Sequence, residues 1–477
     1  MKTVSETLND LSISVAPSKS NSAVSKCLPV SNPGDCFWQS EKHRLHDHRS
    51  TEDLPTHSDV VIVGAGYAGV STAYHLVKEG GDSVKSITII EARGACSGAT
   101  GRNGGHLRPD LYGHIPTYVE RGGPRAGAEI AEFEIAHVKE MKKLIEKENI
   151  DCDFSLCRTV DVWCNEEMAK KAKAVYDQMV KNDLSTWMMS SSIQICGVKG
   201  AKACASYTAG SMWPYKFILG LLEIILPTGK VNLQTNTPVT SITSAANGGF
   251  TVGTSRGNTH ASKIIYANNA YISALLPEYD QNIVPCKGIC CRITVPEGKT
   301  APLLNNTYIN RTEDNTLSYL IPRADGSIIV GGAAAKFKSH KDQWYNNVDD
   351  SVLIESAKNY YDNYMQETYN GWEDSGAKVD NIWTGVMGYS YDSNPHVGEV
   401  PGKPNQFVVA GFNGHGMPVI WLSGKAVAKM VSEDVPFEKT GVPRLFKTTQ
   451  ERIDRAKNGS EEQGDILGTG NQKATKQ

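Results

Sequence analysis

Residues 59–105 read DVVIVGAGYAGVSTAYHLVKEGGDSVKSITIIEARGACSGATGRNGG. The apolar run ending at Val63 predicts a short strand, and Gly64-Ala65-Gly66-Tyr67-Ala68-Gly69 predicts the turn through which it enters a helix. In that turn Gly64 permits the tight bend, Gly66 lets backbone approach a pyrophosphate, and Gly69 lets helix lie against strand. Phosphate charge then meets a helix N-terminus, where unpaired N–H groups and the macrodipole favour an anion. SITIIE predicts a second strand whose last residue, Glu91, falls 27 positions after Gly64 and suits both ribose hydroxyls. The common spacing is about 20, and the loop EGGDSVKS absorbs the excess. Ala92 and Arg93 lead into a second glycine-rich loop, Ser97-Gly98-Ala99-Thr100-Gly101-Arg102-Asn103-Gly104-Gly105. A lone GxGxxG is often only a turn; a strand before it, a helix after it and an acid beyond it make it a dinucleotide site.

The rest of the chain sets bounds on that reading. Its 477 residues suffice for two or three domains. A net charge of −3 gives no basic field toward nucleic acid or an anionic membrane, so the expected partner is a small molecule. Eleven cysteines without a C-x-x-C pair fit a reducing compartment better than a disulfide framework. The first residues lack a secretory pattern and no run approaches the roughly 18 apolar residues that span a bilayer, so the expected location is cytoplasmic.

Residues 1–57 are polar and proline-punctuated, an N-terminal extension that is either disordered or docked through Phe37 and Trp38. Residues 436–477 form a polar C-terminal tail, expected to be loose beyond Lys447. Apolar residues recur at helical spacing over 126–148 and 166–182. Short strands are expected over 231–242 and 250–265, delivering Asn268 beneath the dinucleotide, and further strands over 285–332 turn at Asp325-Gly326. FVVAG, at 407–411, repeats the opening logic. It precedes a loop with Gly411, Asn413, Gly414, His415 and Gly416, then a helix expected from about Met417, whose positive end faces a cofactor ring.

Four segments occur in order: VIVGAGYAG from 61, IIEARGACSGATGRNGG from 89, DSNPHVGEVPG from 392 and VVAGFNGHGM from 408. Together they resemble the FAD-dependent amine and amino-acid oxidoreductases of the D-amino-acid oxidase superfamily, over roughly 58–435. The resemblance implies an α/β fold: a Rossmann-like FAD-binding domain with an inserted antiparallel-sheet α+β substrate domain. It assigns 58–115, 197–285 and 380–435 to the former, and 116–196 and 286–379 to the latter. It also implies FAD contacts from Arg93, Ser97, Thr100, Arg102 and Asn103, an adenine contact at Val239, and a Gly411–Met417 loop facing the flavin pyrimidine edge. Two departures stand out. Met417 and Pro418 occupy the place where monomeric sarcosine oxidase carries a lysine, and Trp383 to Glu399 holds no cysteine for a covalent link. The expected FAD is therefore non-covalent, with His106 either a polar residue at the site mouth or a histidyl attachment.

The implied activity is oxidation of an amine or amino acid by hydride transfer to flavin N5, giving an imine that hydrolyses, with oxygen reoxidising the flavin to yield hydrogen peroxide. Alternatives are a dehydrogenase using another acceptor and an oxidative cyclisation or desaturation of a specialised metabolite. Candidate catalytic residues are His106, Arg108, Tyr319, Arg323 and His415. An arginine at 108 or 323 either clamps a substrate carboxylate bidentately or sits in an ordinary ion pair. Lys287 and Lys336 are weaker candidates for the cation that activates oxygen, and Trp383 and Tyr389 join Tyr319 as aromatic walls.

Overall fold

The computed structural model describes residues 27–181, 190–191, 196–313 and 316–458. The first 26 residues of the extension and the tail beyond 458 lie outside the described residues, as does the end of the expected 166–182 helix.

Two sheets carry the fold. The first is ordered β16-β17-β10-β1-β2-β7, where β1 is His57–Val63, β2 Ile87–Ile90, β7 Val231–Gln234, β10 Gly257–Tyr266, β16 His396–Glu399 and β17 Gln406–Ala410. The strands β17, β10, β1, β2 and β7 run parallel, and their uninterrupted Val and Ile runs suit burial on both faces. Helices α1 (Tyr67–Glu79), α4 (Pro214–Ile225) and α5 (Ile420–Glu433) pack together on this sheet. Gly69 is required for that closeness: a Cβ there would stand 1.9 Å from the Gly64 carbonyl oxygen. A hairpin of β8 (Val239–Ser244) and β9 (Phe250–Thr254) extends from β10.

The second sheet runs β15-β11-β14-β13-β12-β4-β6-β3, with β5 (Ser190–Ser191) beside β6. Its strands are β3 (His106–Leu107), β4 (Ser155–Trp163), β6 (Ala203–Ser211), β11 (Ile283–Thr294), β12 (Asn306–Arg311), β13 (Leu317–Pro322), β14 (Ile328–Gly332) and β15 (Lys378–Ser390). All its pairings are antiparallel except β12 with β4. Helix α2 (Ile115–Glu148) breaks at Gly123, φ +77°, where Pro124 starts the segment expected from 126; α3 (Glu166–Lys181) follows.

Three expectations are corrected. The second sheet takes β3, β6 and β15 from spans assigned to the FAD-binding domain, because β6 pairs with β4 and β15 runs the length of β11. The last helix of the cofactor sheet begins at Ile420 rather than Met417, since the N–H groups of Val419 and Ile420 both turn back to the Gly416 carbonyl. Of the two alternatives for the extension, residues 27–57 take the docked one: Trp38 is 1% exposed, packed against Trp213 and Trp383. The tail is not loose up to residue 458. Its helix α6 (Gln450–Asn458) buries Ile453 and sets Arg452 on Asp392. No helix among the described residues is long and apolar enough to cross a membrane.

Arg452 donates to both Asp392 oxygens at 2.7 and 2.8 Å and to the carbonyls of Asn394, Pro395 and Lys447. Burial opposes the Asp392 charge, yet Arg452 holds its carboxyl well below the usual range. Arg452→Ala strands that carboxylate, and chemical denaturation is expected to show a loss on the order of 3 kcal/mol. A depressed carboxyl adds stability above its unfolded value near pH 4 that is lost as pH falls. Stability of the parent is therefore expected to decline more steeply below pH 4 than that of Asp392→Asn.

Candidate active site

The register of the first sheet decides where chemistry can occur. Val63 lies opposite Ile90 and Tyr266, and Tyr266 opposite Val408, so neighbouring strands end at nearly one level. Gly64, Glu91, Asn268 and Gly411 follow those ends, in the crevice outside the carboxyl edge where such sheets bind ligands.

A cleft runs along this edge, with about 1260 Å³ of empty space counting its open mouth. Its lining brings together Gly64, Gly66, Tyr67 and Ala68 from the first loop with Glu91, Ala92 and Arg93 after β2. The second loop adds Gly98, Ala99, Thr100 and Asn103; Val239, Asn268, Gly414, Gly416 and Met417 complete it. Glu91 is aimed before any ligand arrives: Oε2 accepts from the Ala65 N–H at 2.8 Å and Oε1 from the Arg93 N–H at 3.0 Å. Each oxygen keeps a lone pair for a hydroxyl. Thr100 Oγ1 accepts the Tyr67 N–H at 3.0 Å and so ties the two glycine loops together.

The cleft fits a dinucleotide on its own terms. Asn268 Oδ1 and Tyr271 OH, both on cleft-lining residues, and the neighbouring Ser97 Oγ are buried with no hydrogen-bond partner among the described residues. Such atoms are costly unless a ligand or water satisfies them. Gly64, at φ +109°, has no room for a Cβ, which would stand 2.8 Å from the Ala267 oxygen.

Other expected cofactor residues support the cleft from behind. Arg102 is buried, donating to the Thr384 and Gly34 carbonyls at 2.6 and 2.7 Å, and it lines neither cavity. Gly104 lies against the Tyr319 ring and Gly105 against Trp38 and the Met212 carbonyl. Asp350, unmarked by any motif, chelates Arg93 at 2.9 and 3.1 Å and lies 3.7 Å from Arg102 Nε. Asn269 Oδ1 accepts the Gly411 N–H at 2.9 Å, joining the exit of β10 to the second glycine loop. Asn413 fastens that loop to β15: its Oδ1 accepts the Ser390 N–H and its Nδ2 donates to the Gly411 carbonyl, both at 2.7 Å. The one sequence signal for these two asparagines is their tolerance of positive φ, +44° and +54° here.

The same loop walls a second cavity of about 1030 Å³. Asn413 and His415 face it while Gly414 and Gly416 face the first, and Phe412 borders both. Its other walls include His114, Tyr118, Glu134, Tyr389 and Pro395. His415 Nε2 lies 3.0 Å from Glu134 Oε2, which also accepts the Asp110 N–H at 2.6 Å. The rings of His114 and His415 are 5.2 Å apart. Behind them, Arg108 and Arg311 share Asp110 and Asp161, with Tyr207 donating to Asp161 at 3.0 Å. Burial opposes the Asp110 charge, but Arg108 and its cationic neighbours hold the carboxyl well below its ordinary value.

The remaining candidates separate clearly. Of the two alternatives for Arg108 and Arg323, the structure shows the ion pair. Arg323 pairs with Asp153 at 3.0 Å, with its guanidinium 4.8 Å from the Trp213 ring centroid, and lines neither cavity. His106 also lies outside both linings; its Nε2 meets Thr307 Oγ1 at 2.7 Å, and burial, reinforced by Arg108 and His415, holds the imidazole well below its ordinary pKa. Tyr319 OH meets Cys290 Sγ at 2.9 Å, and Trp383 donates to the Arg102 carbonyl. Lys287 donates to the Val352 carbonyl and Lys336 is exposed, neither lining a cavity.

A parallel sheet with a long cleft at its carboxyl edge, and a second sheet beside it, is the frame of a dinucleotide-binding protein. Residues 59–430 match the model of the DAO family, FAD dependent oxidoreductases. The chain belongs to that family and is an enzyme whose cofactor is FAD. It is 23% identical over 384 residues to gamma-glutamylputrescine oxidoreductase of Escherichia coli, covering 79% of this chain and 84% of that one. It is 21% identical over 402 residues to glycine oxidase of Bacillus licheniformis, covering 78% and 92%. Among solved structures, glycine oxidase from Geobacillus kaustophilus superposes with a TM-score of 0.67 at 20% identity, over 83% of this chain and 99% of that one.

Asp350 neutralises two buried guanidiniums, so Asp350→Ala is expected to cost roughly 3–5 kcal/mol. Thermal unfolding checks the loss, and the same variant is expected to shed FAD on gel filtration while the parent stays yellow.

Proposed function

We propose that this enzyme oxidises an amine or amino acid at a carbon–nitrogen bond, with the substrate in the second cavity and the cofactor ring at the Gly414–Met417 end of the first. One observation supports the reading: Phe412 borders both cavities and the loop after it walls each, so the two spaces adjoin at Phe412, where the substrate carbon must meet the ring at about 3–3.5 Å for hydride transfer. Bound FAD supplies the hydride acceptor, and the imine formed from the substrate hydrolyses to a carbonyl compound.

The protein's own task is to position the amine and strip its proton. An ammonium entering a dry cavity is disfavoured by burial, which promotes deprotonation. His415 receives that proton at Nδ1 while its Nε2–H stays on Glu134 at 3.0 Å, an arrangement that orients the ring. Neutral His106 lines neither cavity; of the two histidines at the cavity wall, His114 meets Asp110 at 3.3 Å and His415 meets Glu134 at 3.0 Å, and His415 is the one on the loop that also walls the cofactor cleft. Oxygen is the proposed final acceptor.

Anaerobic mixing of the yellow protein with a panel of amines and amino acids is expected to bleach the flavin absorbance with at least one of them, and admitting air to restore it with release of peroxide. Reoxidation only by an added dye would make the enzyme a dehydrogenase. A panel that never bleaches it would remove the amine reading in favour of oxidative cyclisation or desaturation. Glu134→Gln is expected to slow flavin reduction by roughly 100-fold and to shift its pH profile, with FAD retained.

A further inference from the structure

The family match begins at residue 59, yet the cleft has walls from well before it. Leu28 and Pro29 line the same cavity as Glu91, Arg93 and Val239. The segment is held there from both sides. Arg93 donates to the Val30 carbonyl at 3.3 Å; the Gly34 N–H donates to the Asp350 carbonyl at 3.1 Å and its own carbonyl accepts from Arg102 at 2.7 Å. Further along, Cys36 Sγ and Gln39 Nε2 reach the Gly101 carbonyl at 3.3 and 3.0 Å, and the Trp38 indole donates to the Asn103 carbonyl.

These contacts form two groups with different work to do. Residues 34–39 grip the backbone of the second glycine loop and are anchored by buried Trp38. Residues 28–30 go beyond the anchor and lie over the cleft at the end marked by Glu91 and Arg93. Glu91 is the ribose acceptor in the reading above, so that end is the adenosine half. Leu28 and Pro29 remain only half-buried in the protein alone, leaving apolar surface for a ligand to cover.

We infer that residues 28–30 are a strap over the adenosine half of FAD: Leu28 and Pro29 supply apolar contact to the dinucleotide, and the Arg93–Val30 bond holds them down. The inference rests on the assignment of the Glu91 end to adenosine. The strap slows cofactor loss, because FAD leaves that half only after the segment lifts.

The test uses the full-length apoprotein, titrated separately with FAD and with FMN, which lacks the adenosine half. The parent binds FAD; failure there would refute the cofactor assignment itself rather than the strap. In the double variant Leu28→Ala, Pro29→Ala, which leaves the Gly34, Cys36 and Trp38 anchors in place, the FAD dissociation constant is expected to rise at least three-fold. FMN binding and the apoprotein melting temperature are expected to stay unchanged. A smaller rise for FAD, or an equal weakening of FAD and FMN, overturns the strap, the second outcome because it marks a defect transmitted through the fold.

Discussion

Four parallel strands of the first sheet stop at nearly one level, and the active region follows from that alignment. A shift of β10 would carry Asn268 away from Gly64 and Glu91, and β17, which runs two residues past Val408, brings Gly411 to the Asn269 side chain. The alignment is enforced chemically as well as by ladder hydrogen bonds. Glu91 holds the N–H of Ala65, Thr100 that of Tyr67, and Asn269 that of Gly411. Each bond takes an otherwise orphaned donor at a strand exit and uses it to lock two exits together.

A second layer of charge sits behind those exits. Asp350 with Arg93 and Arg102, and Asp110 and Asp161 with Arg108 and Arg311, are buried networks in which each guanidinium meets a carboxylate. Such groups contribute little net stability against an apolar replacement, but removing one partner is costly. Their effect is geometric. They fix loops that have few apolar residues of their own, and they join the second sheet to the cofactor loops without closing the cavities.

Much of this was legible in the residues themselves. The glycine spacing, Glu91 and the FVVAG strand located the cleft, because turn geometry and strand periodicity are local properties. Val239 reached it through the family resemblance, and Asn268 through the small residues that follow its strand. What stayed hidden depended on distant pairing. Strand β6, ACASYTAGS, is built of small residues with weak periodicity, and only its partner β4 reveals its sheet. Asp350 lies in a polar loop with no motif, so its hold on two arginines from another part of the chain has no local sign. For the same reason Arg108 and Arg323 looked available: a sequence shows the guanidinium and not the carboxylate folded against it. Glu134 was invisible too, an acid in an amphipathic helix that only the break at Gly123 and Pro124 turns toward His415.

Segments from opposite ends of the described chain finish the two cavities. Leu28 and Pro29 wall the first; Phe446 walls the second, and Arg452 braces Pro395 beside it. During synthesis, therefore, neither compartment is complete until β17, Met417 and Phe446 have been made, long after the first glycine loop. The nascent polypeptide must carry its first glycine loops unfilled until those later segments emerge from the exit tunnel and wall in the vitamin-derived cofactor.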